Sequence, residues 1–265
     1  MNYTITETAS LLGVTTYNLR YYEKMGIIQP IVNEETGYRY YSVLDTRRFN
    51  LARFYRGMGF SMEECRELLS GSISIQDTIE QQESLIQKEI IFNTLKLQEM
   101  KHYRSLLELL ELDLEQSSIV ELDDYIRIEF SDDEEITRNK QILKLRNELL
   151  EYTPLVKWVS RIPKLSFDHT LPLHYHYGLN MKLSYAKALG IDTEKYIHIP
   201  KGKYLLTFFR KDKRCPYELE TMTRALDYIH KHKMQNYGDA YSCCLKSIGS
   251  EENYQNYHYF IVKLK

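Results

Sequence analysis

Arginine and tyrosine side chains are concentrated in one short stretch of the sequence, between Leu19 and Tyr41. The tetrad Arg-Tyr-Tyr-Glu begins at Arg20, and Gly-Tyr-Arg-Tyr-Tyr begins at Gly37, after an acidic turn. Arginine binds phosphate oxygens, and tyrosine supplies both a hydroxyl donor and a ring for contacts to sugars. These residue types at this spacing predict a surface that binds the backbone of nucleic acid.

The sequence does not favour catalysis or a bound metal. It contains no Ser-His-Asp or Cys-His spacing and no glycine-rich phosphate loop, so no catalytic residue and no cofactor is predicted. His174 and His176 share one face of a predicted strand, but no third ligand accompanies them, and no metal site is assigned. The class of protein expected is therefore a binding protein rather than an enzyme.

The cysteines are not spaced as a zinc site or a redox pair. Cys243 and Cys244 are adjacent, so they point to opposite faces of a strand. We expect all of the cysteines to be reduced thiols packed in the protein, and a thiol or metal sensor is the alternative. The set consists of Cys65, Cys215, Cys243 and Cys244.

Two short helices joined by a glycine turn are predicted around the first arginine. Thr6 is expected to cap a helix that ends at Gly13, and Thr15 to cap a second helix, Thr16 to Lys24, which Gly26 ends. Two helices connected in this way form a helix-turn-helix.

A β-hairpin is predicted next, because Pro30 prevents further helix. Ile31-Val32 and Tyr38 to Tyr41 alternate as strands about the turn from Asn33 to Gly37. This hairpin would form a wing beside the helix-turn-helix.

Two further helices follow the wing. Asp45 is expected to cap the third helix, Thr46 to Met58, and a capping box at Ser61 begins the fourth, which runs to Leu69.

This order of helices and wing resembles the MerR family of transcription regulators, in which the second helix enters the major groove and the wing follows neighbouring phosphates. The resemblance implies that Arg20 and Arg39 clamp phosphates and that Tyr17 and Asn18 read base edges. Core packing is the alternative role for Tyr22. The full set of DNA-binding positions that it implies is Thr15, Thr16, Tyr17, Asn18, Arg20, Tyr21, Tyr22, Gly37, Tyr38, Arg39, Tyr40 and Tyr41.

The resemblance also implies partners and a mechanism. Members of the family bind a pseudo-palindrome in double-stranded promoter DNA, between promoter elements that lie too far apart. The dimer with bound effector bends and untwists that DNA, which realigns the elements for RNA polymerase. Deforming such a duplex costs on the order of 1–6 kcal/mol, and the effector supplies the difference in free energy between the two states.

A single long helix is predicted from Gln76 to Glu115, a stretch without glycine or proline. An apolar seam with spacings of seven, four and three residues runs along it, interrupted by Asn93 and Arg104. Such a seam indicates a coiled coil and hence a homodimer, whereas a core helix of one domain is the alternative. The seam consists of Ile79, Ile86, Ile90, Leu97, Met100, Leu107 and Leu114.

Charge is distributed unevenly along the chain. Residues 1–75 have net charge 0, residues 76–135 have −12 and residues 136–265 have +10. This division suggests three structural units. The resemblance implies that they are a winged helix-turn-helix domain at 1–72, a dimerisation helix at 73–118 and an effector domain at 119–265. The N-terminus lacks the features of a signal peptide and no apolar run is long enough to span a membrane, so a cytoplasmic protein is expected.

Residues 119–265 alternate between strand and helix patterns, which predicts an α+β domain. The predicted elements are a strand at Tyr125–Phe130, a helix at Ile136–Val159 broken near Pro154, a strand at Tyr175–Leu183, a hairpin at Tyr196–Phe209, a helix at Tyr217–His232, and strands at Ala240–Ser247 and Tyr257–Leu264.

The segment from Ile199 to Tyr204, with the helix and the strands that follow, resembles the GyrI-like effector domain of BmrR-type multidrug sensors. The resemblance implies an aromatic box around a buried acid that pairs with lipophilic cations. Here Ser242 occupies the acid's position, while Tyr217 and Tyr257 fall on aromatic positions, so no buried acid is expected. The missing acid, together with the net charge of +10 in residues 136–265, favours a neutral or anionic aromatic ligand, or a cation held by ring faces alone.

Of the 23 tyrosines in the chain, 14 lie in residues 119–265. They predict an aromatic-lined cavity for a small hydrophobic ligand, with core packing as the alternative for each residue. The predicted function is a ligand-responsive activator that controls multidrug efflux or its own promoter; a thiol- or metal-responsive sensor is the alternative. The predicted ligand-binding residues are Tyr175, Tyr177, Tyr204, Phe208, Tyr217, Tyr241, Ser242, Tyr257 and Tyr259.

Overall fold

A computed structural model describes residues 2–112, 117–133, 135–164, 174–212, 219–234, 236–250 and 255–264 of the chain. The chain divides into two units, Met1–Glu89 and Ile90–Lys265. Helices and antiparallel strands both occur, which confirms the predicted α+β class.

The first unit contains four short helices and a three-stranded antiparallel sheet. In chain order the elements are β1 (Tyr3–Thr4), α1 (Ile5–Leu12), α2 (Thr16–Lys24), β2 (Ile31–Val32), β3 (Arg39–Tyr41), α3 (Val43–Gly57) and α4 (Met62–Ser70). β3 is the central strand, between β1 and β2. The core beneath these elements is built on Leu19, Phe49, Phe60 and Cys65. The predicted helix-turn-helix and wing are therefore confirmed.

Capping side chains set where two of these helices begin, two and three residues earlier in the sequence than predicted. Thr4, not Thr6, caps α1 and forms a capping box with Glu7. Ser42, not Asp45, caps α3, and the Asp45 carboxylate accepts a hydrogen bond from the Ser42 backbone N–H at 2.8 Å. Both boxes place a carboxylate three residues after a hydroxyl, which satisfies donors on each side of the cap.

The long helix α5 (Ile75–Leu112) has apolar residues on two sides. Leu95, Leu106 and Leu110 are buried within the second unit. The side chains of the predicted seam are mostly on the other side, where Ile86, Ile90, Leu97 and Met100 are exposed. Leu114, the last residue of that seam, lies outside the described residues.

The second unit is built on an eight-stranded antiparallel sheet. Its elements are β4 (Ser117–Leu122), β5 (Tyr125–Glu129), β6 (Ser131–Asp132), β7 (Glu135–Ile136), α6 (Lys140–Leu150), β8 (Val156–Ile162), β9 (His176–Lys182), α7 (Leu183–Ala188), a 3-10 turn (Thr193–Lys195), β10 (Ile197–Ile199), β11 (Gly202–Asp212), α8 (Leu219–Lys231), β12 (Asn236–Ile248) and β13 (Gln255–Leu264). The strand order is β10-β5-β9-β8-β12-β13-β11-β4, and β6 pairs separately with β7.

Two predictions for this unit were wrong. The helix predicted to reach Val159 ends at Leu150, and Val156 to Ile162 form a central strand, as their content of β-branched and aromatic residues favours. The predicted hairpin at Tyr196–Phe209 is not a hairpin, because β10 pairs with β5 whereas β11 pairs with β4 and β13. Long-range pairing decides both cases, and local sequence patterns do not encode it.

Strand alternation divides the side chains of the sheet between two faces. Tyr204 and Tyr241 are on the face that carries Val159 and Ile199. The opposite face carries Phe260 and packs against α8 through Ile229. We call the first of these the tyrosine face.

A fully buried arginine on β5 reaches across the two neighbouring strands, β9 and β8. Arg127 donates from Nε to Glu129 at 2.7 Å and from Nη2 to the His176 carbonyl at 2.8 Å. Gly178 in the neighbouring strand leaves room for it, since an added Cβ there would lie 2.6 Å from both the Arg127 Cζ and the Ile128 carbonyl oxygen. The guanidinium and the glycine therefore depend on each other.

We predict that Gly178→Ala lowers the free energy of unfolding by about 1–3 kcal/mol, the usual cost of forcing extra atoms into a packed site. Chemical denaturation measures the change. Gly202→Ala is the matched strand control, because its added Cβ would meet Lys263 at an ordinary 3.6 Å. Equal stability of the two variants would contradict the close packing of Arg127 against Gly178.

Candidate DNA interface and ligand cavity

The first turn of α2 presents polar side chains to solvent. Thr15 caps the helix, and its hydroxyl accepts a hydrogen bond from the Asn18 backbone N–H at 3.2 Å. The Tyr17 side chain is 76% exposed, and Thr16 and Arg20 are exposed as well. Free backbone donors and a positive dipole end make a helix N-terminus suitable for phosphate.

The wing adds exposed groups and is tied to α2 by an ion pair. Arg39 Nε lies 3.0 Å from the Glu23 carboxylate, which joins β3 to the end of α2. Tyr38 is exposed at the tip, next to Gly37, whose φ of +70° a residue with a side chain rarely adopts. Tyr21 on α2 is also exposed. The predicted arginines and three of the six predicted tyrosines of this unit are thus available to a ligand on its surface.

Two predicted DNA-binding tyrosines belong instead to the core or its edge. The Tyr22 ring is half-buried and lies 4.4 Å from the Phe49 ring, which supports the packing alternative. Tyr41 is fully buried, and burial raises the pKa of its hydroxyl. A buried side chain offers no surface to DNA, so we remove Tyr41 from the proposed interface. Tyr40 remains half-buried on the wing.

A cavity of about 270 Å³ lies in the second unit, between α5 and the tyrosine face of the sheet. We call it the tyrosine cavity because four tyrosines share its wall: Tyr125, Tyr204, Tyr241 and Tyr259. The rest of the wall is mainly aliphatic, with polar groups contributed by His102, Ser105, Glu121, Lys157 and Asn180. Its size and lining suit a compact ligand with an aromatic ring and a small number of polar atoms.

The structure brings together only part of the predicted ligand-binding set. Tyr204, Tyr241 and Tyr259 line the cavity. Phe208 and Tyr257 pack in a neighbouring cluster with Leu106 and Leu110 of α5. Tyr175 and Tyr177 pack on the opposite face of the sheet, with their ring centroids 5.3 Å apart. Tyr217 lies outside the described residues.

Ser242 is not at the base of the cavity. It lies between Tyr241 and Cys243 in β12, both of which pack on the tyrosine face. Alternation therefore turns Ser242 to the other face, where its Oγ is 3.4 Å from Nδ1 of His258. Position in the strand thus excludes this residue from the ligand site.

A buried acid is present beside the cavity, contrary to the sequence-based expectation. Glu99 on α5 is only 5% exposed, and its Oε1 lies 2.6 Å from Nζ of Lys157 on β8. The acid comes from the long helix rather than from the strand in which the resemblance places it. It is neutralised by a lysine that itself lines the cavity.

The tyrosines and the histidine of the wall favour their neutral forms. Burial raises the pKa of Tyr204 to about 12 and also raises the pKa of Tyr125 and Tyr241. Burial lowers the pKa of His102, and the nearby ammonium of Lys157 lowers it further. The tyrosines therefore keep their hydroxyl protons, and His102 is neutral at pH 7.

Sequence reasoning missed Tyr125, His102, Lys157 and Asn180. Lys157 lies in a segment that was predicted as helix but forms β8. His102 lies on α5, for which only the apolar coiled-coil seam was considered. For Tyr125 a usable signal existed, since it begins a correctly predicted alternating strand.

The cysteines that the structure describes are free thiols. Cys65 and Cys243 are buried, whereas Cys244 is exposed. Burial raises the pKa of Cys243 to about 11. Cys215 lies outside the described residues.

His174 contacts Asp133, with 2.8 Å between its Nδ1 and the carboxylate. No group of three or more potential metal ligands occurs among the residues that the structure describes. Within the same residues, no helix combines the length and apolar character needed to cross a membrane.

The comparisons with known proteins concern mainly the first unit. Residues 3–72 match the family described as MerR HTH family regulatory protein. A probable heavy metal-dependent transcriptional regulator of Haemophilus influenzae is 42% identical over 66 residues, which are 25% of this chain and 52% of that protein. An uncharacterized HTH-type transcriptional regulator of the same organism is 29% identical over 108 residues, 41% of this chain and 80% of that protein.

This chain thus spans about half the length of the metal-dependent regulator. A cryo-EM structure of an EcmrR–DNA complex matches 98% of this chain and 99% of that one, with 17% identity and a TM-score of 0.42. The N-terminal domain of the chain is a MerR-type helix-turn-helix domain.

The ion pairs around Arg127 predict how stability depends on pH. Burial of Glu129 opposes its ionisation, but hydrogen bonds and charges from Arg161 and Arg127 outweigh burial and lower the pKa of Glu129. A carboxyl group with a lowered pKa in the folded state stabilises the protein above its unfolded pKa, and this contribution is lost as pH falls through the folded pKa.

We therefore expect Glu129→Gln to destabilise the protein at neutral pH, because it leaves the buried Arg127 without its counter-ion. Below the ordinary glutamate range the free energy of unfolding should then fall less steeply with acidification than in the unsubstituted protein. Denaturation at a series of pH values measures both effects. Glu148→Gln is the control, since Glu148 is about half-exposed and 3.9 Å from Lys144.

Proposed function

We propose that the chain is a cytoplasmic, ligand-responsive transcription regulator of MerR type that binds promoter DNA as a homodimer and acts together with RNA polymerase. The observation that carries this proposal is a MerR-type helix-turn-helix domain on the same chain as a domain with an aromatic cavity, with α5 contributing to both units. A small aromatic or lipophilic compound in the tyrosine cavity would be the effector. Genes for multidrug efflux, or the regulator's own promoter, are the proposed targets.

The DNA-binding surface would consist of the first turn of α2 and the wing. Tyr17 and Asn18 are exposed where base edges would lie, and Arg20 is exposed farther along the same helix. Arg39 would hold a phosphate while its Nε stays bonded to Glu23. The first 75 residues have no net charge, so affinity would depend on this placement rather than on bulk charge.

We predict that Arg20→Ala weakens binding of the protein to its own promoter fragment and to an unrelated duplex by similar factors. Each lost phosphate contact should also reduce the slope of log K against log salt by about one. Fluorescence anisotropy at several salt concentrations measures both. Arg66→Ala is the control, because Arg66 is bonded to Glu63 on α4. An unchanged salt slope for Arg20→Ala would remove this residue from the interface.

A second copy of the chain is the proposed partner of α5. Leu95 and Leu97 lie about 200° apart around the helix, so the buried side and the exposed seam point in opposite directions. Ile90 and Met100 extend that seam at heptad-like spacing and are 59% and 60% exposed. The chain leaves this apolar stripe in solvent, which fits a coiled coil with an identical helix. Asn93 interrupts the stripe and would fix the register of the two helices.

Leu97→Glu should convert the protein to monomers, because dimerisation would bury an unpaired carboxylate in the seam. Sedimentation velocity at micromolar concentration measures the mass. Gln98→Glu adds the same charge at an exposed neighbouring position and should leave the dimer intact. A monomeric unsubstituted protein would refute the coiled coil.

A thiol- or metal-responsive sensor is the second candidate, because one relative is described as heavy metal-dependent. In this chain the raised pKa of Cys243 leaves little thiolate at neutral pH, so its thiol would react and bind metal poorly. Transcription from the chain's own promoter, measured with and without zinc, copper and a thiol oxidant, separates the candidates. A response to metal or oxidant that is lost in Cys244→Ser would favour the sensor.

A further inference from the structure

We infer that the tyrosine cavity selects an anionic aromatic compound, such as an aryl carboxylate, and that Lys157 and Asn180 bind its acid group. This inference rests on the proposed function and deepens it, since it names the chemical class of the effector.

The ion pair between Lys157 and Glu99 presents its positive member to the cavity. Lys157 is part of the cavity wall, whereas Glu99 is not, and the side chain of Glu99 is only 6% exposed against 21% for Lys157. The Lys157 ammonium lies 2.6 Å from the Glu99 carboxylate and has three N–H donors. It can therefore turn a donor to an acceptor that enters the cavity while it stays paired with Glu99.

Asn180 supplies further donors beside that ammonium. It is the direct cross-strand partner of Lys157, so the two side chains share one face of the sheet. Its Oδ1 accepts a hydrogen bond from Nη1 of Arg127 at 2.8 Å. Arginine can only donate, which fixes the amide oxygen toward Arg127 and leaves the amide N–H groups of Asn180 for other partners.

Arg127 cannot easily release that oxygen. Three of its four remaining N–H groups bind Glu129 and the carbonyls of Val159 and His176, at 2.7, 3.1 and 2.8 Å respectively. The Asn180 amide is therefore held in one orientation before any ligand arrives. Donors fixed in this way lose little entropy on binding an acid group.

The tyrosine rings supply the apolar part of the site. Tyr204 donates its hydroxyl to the Pro200 carbonyl at 3.3 Å, which leaves its ring for packing. The raised pKa values of Tyr125 and Tyr241 keep both residues protonated, so neither adds negative charge to the wall. A flat aromatic ring between such faces buries apolar area.

A cationic ligand fits this wall poorly. To reach Glu99 it would have to displace the Lys157 ammonium, which would leave a lysine charge without its partner in a buried place. Glu121, the acid that does line the cavity, is exposed to solvent, where water and salt screen its charge. The arrangement thus inverts the selectivity expected for a site with an unpaired buried acid.

Three ligands of one shape test the inference on the full-length protein: naphthoate, naphthamide and naphthylmethylammonium. Isothermal titration calorimetry should show naphthoate binding about tenfold or more tightly than naphthamide, with the ammonium weakest. Lys157→Met should abolish the preference for naphthoate over naphthamide, and Lys144→Met, on the exposed side of α6, should preserve it. Glu99→Gln should strengthen naphthoate binding, because it releases Lys157 from its partner.

Since Lys157→Met leaves Glu99 buried and unpaired, the double variant Lys157→Met, Glu99→Gln provides a second, uncharged form of the site. It should bind naphthoate and naphthamide equally. Equal binding of all three ligands by the unsubstituted protein, or a preference for the ammonium, would overturn the inference alone, provided that Tyr241→Ala weakens every ligand. Failure of all three to bind would overturn both the inference and the role of the cavity, while DNA binding would still test the rest of the proposed function.

Discussion

The buried guanidinium of Arg127 is the interaction on which the second unit depends. It joins three adjacent strands, through Glu129 on its own strand, the Val159 carbonyl on β8 and the His176 carbonyl on β9. Breaking any of these contacts would leave a charge in an apolar interior, which costs more than an intact pair contributes. The absence of a side chain at Gly178 and the orientation of Asn180 at the cavity wall both serve to accommodate this one side chain.

The long helix meets a second constraint, because it has to be apolar on two opposite sides. One side packs on the sheet through Leu95, Leu106 and Leu110, and the other exposes Ile90, Leu97 and Met100. Apolar residues on both sides leave the helix with little overall amphipathicity, which a one-face pattern would not detect. The charged pair of Glu99 with Lys157 lies on the packed side, so the helix contributes to the wall of the cavity as well as to the proposed dimer.

Local signals in the sequence predicted most of the first unit. The bounds of α2, its Thr15 cap, the Ser61 capping box and the turn at Gly37 all depend on residues within a few positions of one another. The second unit was harder, because β8, β10 and β11 find their partners far along the chain. A prediction based on short-range periodicity cannot know which strand a segment will join, and this is why the helix through Val159 and the hairpin at Tyr196–Phe209 were wrong.

The sequence predicted an aromatic-lined cavity but not the charged residues at its wall. Glu99 comes from the acidic segment, residues 76–135, and Lys157 from the basic segment, residues 136–265. The ion pair that sets the charge of the wall therefore joins two segments that the charge counts had separated. The family resemblance implies an acid on a strand, but Ser242 occupies that position in this chain. The structure places an acid from α5 beside the tyrosine cavity, with Lys157 between it and the cavity. Which charge a ligand meets is therefore decided by the side chain nearest to the space, and neither the net charge of the segment nor the presence of a buried acid determines it alone.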